Sequence, residues 1–314
     1  MRILHVFNES LPLHSGYAFR SAAILFEQRA RGWQPVALTT PRQGPTKALI
    51  EHADGLDFHR TPYAPSWLAR LPAVGAYLSE MMATARRLEQ LVRLERPDVL
   101  HAHSPVLTAL PALWVGRGHG VPVVYEVRAC WEDAAVDHGT TAEGSLRYRA
   151  TRWLESFVAR RADALTVICD GLRREFEGRG IASSKIAVIP NAVDIDEFPL
   201  SRSRDSQVRR DLGFEGATVL GFVGSFYGYE GLDLLLHAAA RLRLTKPDLR
   251  VLLVGEGYQF DALRQLMTRA GQRLAWGLRA PPTQKIASSV GRRGGGQCPG
   301  PSALGKNSSS PPIL

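Results

Sequence analysis

RILHVFNESLPLHSGYAFRSAAILFEQRARGWQPVALT, residues 2–39, carries the pattern that decides the fold. Residues 2–7 are an apolar run of strand length, followed by a loop containing Pro12, Ser15 and Gly16. Apolar positions then recur at helical spacing over 17–31, Gly32 stands where a helix would stop, and 34–39 is a second apolar run. Strand, loop, amphipathic helix and strand form one crossover of a parallel α/β sheet.

Outward from this stretch the alternation continues. A third strand is expected at 56–60, a helix over 74–95, and short strands at 99–102 and 122–126. A helix rich in Arg and Glu (147–161), a strand (164–168), a helix (170–179) and a strand (186–189) follow. The turn-rich segment PNAVDIDEFP, 190–199, then leads to a second α/β unit with strands at 219–223 and 250–254 and helices at 232–244 and 259–270. The expected organisation is a domain over 1–195, part of a second over 196–272, and a tail over 273–314. The tail holds Pro281-Pro282, Gly294-Gly295-Gly296 and Ser308-Ser309-Ser310, without a sustained apolar period. It reads as disordered. It is either a natural tail or, the favoured reading, the product of a frameshift in a GC-rich gene.

The chain has 314 residues and 45% hydrophobic content, normal for a globular protein with a real core. Its net charge of +9 resides in one place. After residue 261 there are eight basic residues and no acidic one, whereas 1–261 holds 31 basic and 30 acidic residues. The near-neutral body argues against a nucleic-acid partner. No apolar run reaches 18 residues and the N-terminus lacks a signal-peptide pattern, so a cytoplasmic location is expected. Cys130, Cys169 and Cys298 match no zinc or redox spacing and read as reduced, structural thiols. No carboxylate cluster of metal-ligand type stands out, and no metal is expected.

Candidate site residues lie where strands end. In His14-Ser15-Gly16-Tyr17, glycine permits close backbone approach, and the following helix offers free N–H groups to phosphate. The bland alternative is an ordinary strand–helix turn. His103, in His101-Ala102-His103-Ser104-Pro105, follows a strand and could donate or accept a hydrogen bond at a ligand site. It could equally be a satisfied core or loop histidine. His101 is expected to point into the core. Arg128, with Trp131 and Glu132, follows the strand at 122–126. Arg128 suits a phosphate or a sugar carboxylate and Trp131 a sugar ring, unless the group is an Arg–Glu surface pair over a packed Trp. In the second unit the strand-to-helix loop 224–231, GSFYGYEG, and the turn Gly255-Glu256-Gly257 are candidates. The first loop lacks G-x-G-x-x-G, which argues against a dehydrogenase.

Several segments together, VRACWED (127–133), RYRATRWLESFVARRA (147–162), IAVIPNAVDIDEF (186–198) and GFVGSFYGYEGLDLLL (221–236), resemble family 4 retaining glycosyltransferases. The likeness is greatest to the subgroup associated with exosortase and exopolysaccharide loci and covers about residues 1–270. It implies a GT-B fold, an α/β architecture with a Rossmann-like N-terminal acceptor-side domain and an incomplete second Rossmann-like domain that binds the donor. It also implies transfer of a hexose from a nucleotide-sugar to a polysaccharide or lipid-linked acceptor, with retention of configuration and no cofactor. Residue by residue, it implies that His103 is the active-site histidine. Gly16, Tyr17, Ser225, Gly255 and Glu256 then lie on the donor side, and Arg128 and Trp131 serve the acceptor or phosphate. Two departures stand out. Ser225 and Glu230 stand where many relatives carry Arg and Lys, and no acidic residue follows Asp261, so the family's later E-x7-E pair is absent. The chain is therefore expected to be impaired, the alternative being an inactive remnant that binds acceptor or partner. The helix 74–95, with Met81, Met82, Arg86 and Arg87, is read as core-packed with a solvated basic face, or as a peripheral contact to the inner membrane.

Overall fold

The computed structural model describes residues 1–13, 15–46, 48–63, 74–137, 139–193, 195, 206–269 and 275–278. His14, Cys298 and most of the expected tail lie outside the described residues. The chain divides into two compact units, Met1–Val136 with Thr141–Ala192 and Asp137–Thr140 with Val193–Leu314.

The first unit begins with strand β1 (Arg2–Phe7), helix α1 (Gly16–Ala30) and strand β2 (Gln34–Thr39), as the opening stretch predicts. Then come β3 (Ile50–Ala53), β4 (Leu56–His59), α2 (Gly75–Glu95), β5 (Val99–His103), α3 (Val106–His119) and β6 (Val123–Val127). The unit closes with α4 (Trp131–Asp137), α5 (Leu146–Arg161), β7 (Ala164–Val167), α6 (Asp170–Gly178) and β8 (Ile186–Val188). Its eight strands order as β3-β4-β2-β1-β5-β6-β7-β8, parallel except for the antiparallel β3 at the edge. The central strands are buried on both faces, so they read as near-continuous apolar runs rather than alternations. α3 had no helical signature in the sequence. Its residues VLTALPALWVGRGH are apolar nearly all round and include Pro111, and most of them are buried between the sheet and the helices α2 and α5. A helix covered on most sides has no amphipathic period to detect.

The second unit has α7 (Ser206–Asp211), β9 (Thr218–Val223), α8 (Leu232–Leu242), β10 (Leu249–Val254), α9 (Phe260–Arg269) and β11 (Ala275–Leu278). The three strands order as β11-β10-β9, all parallel. β11 lies at the start of the stretch expected as tail; the run Ala275–Leu278 is short, but β10 offers it an edge to pair with. A separate core formed by Phe226, Leu232, Leu236, Val251, Leu253 and Leu263 holds this unit together. Among the described residues no helix is long and apolar enough to cross a membrane.

Candidate functional site

Strand order in the first sheet reverses between β1 and β5, and open parallel sheets bind ligands outside the carboxyl ends of strands at such a point. The loop after β1 leads to Gly16 and Tyr17 at the start of α1, and β5 ends on His103. Ser15 Oγ accepts from the Ala18 amide at 3.1 Å and donates to Glu9 at 2.7 Å, fixing the helix start. The Gly16 and Tyr17 amides have no partner among the described residues. A β-carbon on Gly16 would meet nothing within 4 Å and its φ is not positive, so the local fold does not itself demand glycine there.

The register of the sheet builds a polar stripe. His5 pairs in register with His101, and His103 with Glu126. Because side chains alternate along a strand, His101 and His103 share one face, and register partners share it too. His101 therefore does not turn away into the apolar core as expected. Its ring stacks on His103 at 4.1 Å, and its Nε2 lies 3.5 Å from Glu126 Oε2. Helix α1 lies across the stripe: His5 Nε2 is 2.8 Å from Gln28 Oε1, and Arg20 Nε donates to Glu126 Oε1 at 3.0 Å. Arg20 also holds the carbonyls of Ile189 and Pro190 and the side chain of Asn191.

Arg128 converges on the same point. Its Nε donates to Glu126 Oε1 (2.8 Å), its Nη1 to the Tyr17 carbonyl (3.0 Å), and its Nη2 lies 2.9 Å from His103 Nδ1. Its guanidinium lies over the Tyr17 ring at 4.1 Å. Tyr17 OH accepts from the Asn8 amide at 3.1 Å and donates to the His103 carbonyl at 3.4 Å. Its hydroxyl thus ties β1 to β5, and burial raises its pKa above the ordinary value. His103 is fully buried. Burial, then the neighbouring His101, pushes His103 well below 6.5, and the same two causes lower His5 to about 3, so both rings are neutral. Burial would raise Glu126, but the donors packed around it, Arg128 among them, outweigh it and hold the carboxyl well below the usual range. The result is an ionised carboxylate between two arginines beside two neutral imidazoles.

His5, His101 and His103 are close enough together for a metal ion. Arginine only donates, so His103 Nδ1 accepts from Arg128 and the ring proton is on Nε2, facing His5. A metal on Nε2 would require the opposite tautomer. The group Cys130, Glu132 and Asp133 fits a metal no better. Burial raises the Cys130 thiol to about 12, away from the thiolate a metal needs, and Glu132 is engaged by Arg179 Nη2 at 2.5 Å.

That last pair corrects the surface Arg–Glu alternative for 128–132. Arg128 binds the buried Glu126, and Glu132, also buried, binds Arg179, which follows α6. Trp131 opens α4 half-buried, its Nε1 enclosed without a partner among the described residues.

In the second unit, backbone dominates. The Gly224 amide donates to the Val254 carbonyl and the Phe226 amide to the Glu256 carbonyl at 2.8 Å. A β-carbon on Gly255 (φ +151°) would lie 1.7 Å from the Gly224 oxygen, and one on Gly257 would lie 2.6 Å from the Phe226 backbone. Both glycines are required by the close crossing of two strand-end loops, which is a structural reason for the G-x-G. Ser225 and Glu256 are exposed beside this crossing. Tyr227 stacks on Tyr229 at 5.4 Å and meets Tyr258 at 5.7 Å, and Tyr258 OH accepts from the Gly228 amide.

Sequence reading missed His5, Gln28, Arg20 and Glu126. A signal existed for two of them: His5 and Glu126 are polar residues inside apolar strand runs, where burial demands partners. Arg20 and Gln28, eight residues apart on an ordinary helix surface, had none.

A model of the glycosyl transferase 4-like domain matches residues 15–192. The chain is 30% identical over 223 residues to glycogen synthase of Mycobacterium tuberculosis, an alignment spanning 69% of the chain and 50% of that enzyme. It is 27% identical over 280 residues to a GDP-mannose-dependent alpha-mannosyltransferase of Mycolicibacterium smegmatis, covering 86% of the chain and 67% of that protein. The chain thus spans about half the length of the glycogen synthase it matches. Among solved structures, HepE of Anabaena with UDP-glucose aligns with a TM-score of 0.65 at 20% identity, over 89% of the chain and 70% of HepE. The catalytic domain of starch synthase IV of Arabidopsis thaliana, bound to ADP and acarbose, aligns at 0.60 and 12% identity, over 88% of the chain and 74% of that domain. The architecture is the GT-B α/β fold.

Proposed function

Because the chain belongs to the glycosyl transferase 4-like family, we propose that it serves as a nucleotide-sugar glycosyltransferase. In this reading it moves a hexose to a polysaccharide or lipid-linked acceptor with retention of anomeric configuration, in the exosortase and exopolysaccharide setting. The observation that carries the reading is the convergence of Tyr17, which follows Gly16, with His103 and Arg128 at the strand-order reversal of the first sheet. The unpartnered amides at the start of α1, with the helix dipole behind them, suit a diphosphate. Arg128 adds a positive charge, paired with Glu126 in the structure. His103 presents a neutral ring suited to a sugar hydroxyl. Trp131 offers an aromatic face to the acceptor, and Ser225 and Glu256 lie on the donor side. These groups act by positioning and charge stabilisation. In this reading donor and acceptor suffice without a cofactor, so a chelator is expected to leave turnover unchanged.

Location under this reading is cytoplasmic, with a peripheral contact at the inner membrane. On α2, Met81 and Met82 are half-buried and Arg86 is exposed. A second reading, a non-catalytic chain that binds acceptor or partner, is favoured by one observation: the loop 224–231, GSFYGYEG, carries Ser225 and Glu230 and no cation to face a diphosphate. Incubating the purified chain with a panel of nucleotide-sugars and oligosaccharide acceptors separates the two. The transferase reading expects a product whose anomeric configuration by NMR matches the donor. Donor binding without product supports the second reading, and absence of any donor binding overturns the first.

A further inference from the structure

Four side chains form one directed hydrogen-bond chain: Arg128 Nη2 to His103 Nδ1 (2.9 Å), His103 Nε2 to His5 Nδ1 (3.0 Å), and His5 Nε2 to Gln28 Oε1 (2.8 Å). Its direction is set from one end. Arginine has no acceptor atom, so His103 Nδ1 must carry a lone pair. A neutral imidazole then carries its proton on Nε2 and donates to His5 Nδ1. By the same logic His5 donates from Nε2, and Gln28 must offer its carbonyl oxygen, the orientation its amide has. Reversing Gln28 would leave His103 with two acceptor nitrogens, which a neutral ring cannot have.

A competing arrangement lies within reach. Glu126 Oε1 is 3.5 Å from His103 Nδ1 and would accept a proton placed there. Arg128 opposes this at Nδ1, and His5 opposes it at Nε2 by giving the proton there an acceptor where neither ring is exposed to water. We propose that His5 and Gln28 are positioning residues that hold His103 as the Nε2–H tautomer. Nδ1 is thereby kept as an acceptor, engaged by Arg128 in the structure and available to a substrate hydroxyl once an anion draws Arg128 away. His103 then selects a ligand that donates a hydrogen bond, not one that accepts. Only the identity of that ligand, a sugar hydroxyl, rests on the transferase reading; the tautomer assignment does not. The low basicity of both rings agrees with it, because neither is protonated near neutrality.

Nitrogen-15 NMR of the full chain, labelled at histidine and observed near neutral pH, tests this. The wild type is expected to show a protonated Nε2 and an unprotonated Nδ1 on His103. Gln28→Glu keeps an acceptor for His5 and is expected to preserve that signature. His5→Phe removes the acceptor of the Nε2 proton and is expected to raise the share of the Nδ1–H form facing Glu126, against the hold of Arg128. Gln28→Leu, at a half-exposed position on α1, serves should His5→Phe fail to fold, and is expected to shift the population the same way. A wild-type His103 protonated on Nδ1 overturns the proposal, as does a signature unchanged in every folded variant that removes an acceptor. Calorimetry with UDP-glucose and GDP-mannose on the same samples is read separately. Affinity is expected to fall about tenfold in the shifted variants, the size of one lost hydrogen bond. Absence of binding in the wild type would count against the transferase reading and leave the tautomer result standing.

Discussion

The strand ends of the two units are built in different ways. In the first unit, β1, β5 and β6 carry His5, His103 and Glu126, which are buried and cross-linked, with Glu126 held by Arg20 and Arg128. In the second, β9 and β10 end on glycines whose backbones cross too closely for any side chain, with Ser225 and Glu256 exposed beside them. One site is organised by side-chain charge and the other by backbone shape. A buried ionic network is sensitive to changes of charge, whereas a backbone crossing tolerates changes of charge and fails on one added methyl.

The contrast can be broken from either side. The largest effect is expected from Glu126→Gln, which keeps the shape and leaves two arginines without their counter-charge. Unit 1 should lose about 3–5 kcal/mol in denaturant unfolding. A smaller loss, about 3 kcal/mol, is expected from Gly255→Ala and should be confined to unit 2. Hydrogen exchange should accelerate across β9 and β10 and remain unchanged in β1, β5 and β6. If Gly255→Ala exchanges like the wild type, the backbone account of the second unit is wrong.

Titration gives a third test. Burial pushes the Glu155 carboxyl up to about 7, although Tyr125 OH (2.7 Å) and the Val106 amide bond it. A group raised in the folded state contributes stability that is complete below its unfolded value near 4.5 and is lost as pH rises through 7. His5 works in the opposite sense. Lowered to about 3, it contributes stability that is present above 6.5 and lost as pH falls toward 3. Subtracting the unfolding free energies of Glu155→Gln from those of the wild type should isolate a decline of roughly 1.4 kcal/mol per pH unit between about 4.5 and 7. A flat difference would mean that Glu155 is ionised in the fold. The smallest expected change, about 1 kcal/mol or less in the melting of unit 2, follows loss of the Tyr258 hydroxyl that accepts from Gly228 in Tyr258→Phe.

What the sequence revealed follows the same division. The strands and most helices were legible, since burial on both sheet faces writes apolar runs and half-burial writes helical periods. α3 was hidden because burial on most sides erases the period, and β3 because a four-residue edge strand carries little pattern. Gly16, His103 and Arg128 were legible as residues at strand ends. Their mutual contacts were not, since Arg128 and Tyr17 are 111 positions apart in the chain. His101 and His103 alternate in one strand and so share a face, but which face is polar depends on His5 and Glu126 in the neighbouring strands. The glycines at 255 and 257 were visible, but the crossing that requires them is set by the packing of two loops.

Gly16 tests the central claim most directly, because the local fold does not need a glycine there. Among the described residues, no atom beyond its chain neighbours and its own helix backbone lies within 4 Å of where an alanine β-carbon would stand, and the backbone conformation suits alanine. Gly16→Ala should leave thermal stability unchanged or raised by up to about 1 kcal/mol. Calorimetric titration of the wild type and this variant with UDP-glucose and GDP-mannose then separates function from structure. The account predicts that the wild type binds at least one donor and that the variant binds it about tenfold more weakly at equal stability. Equal affinity in the two proteins, or no binding by the wild type, would contradict it.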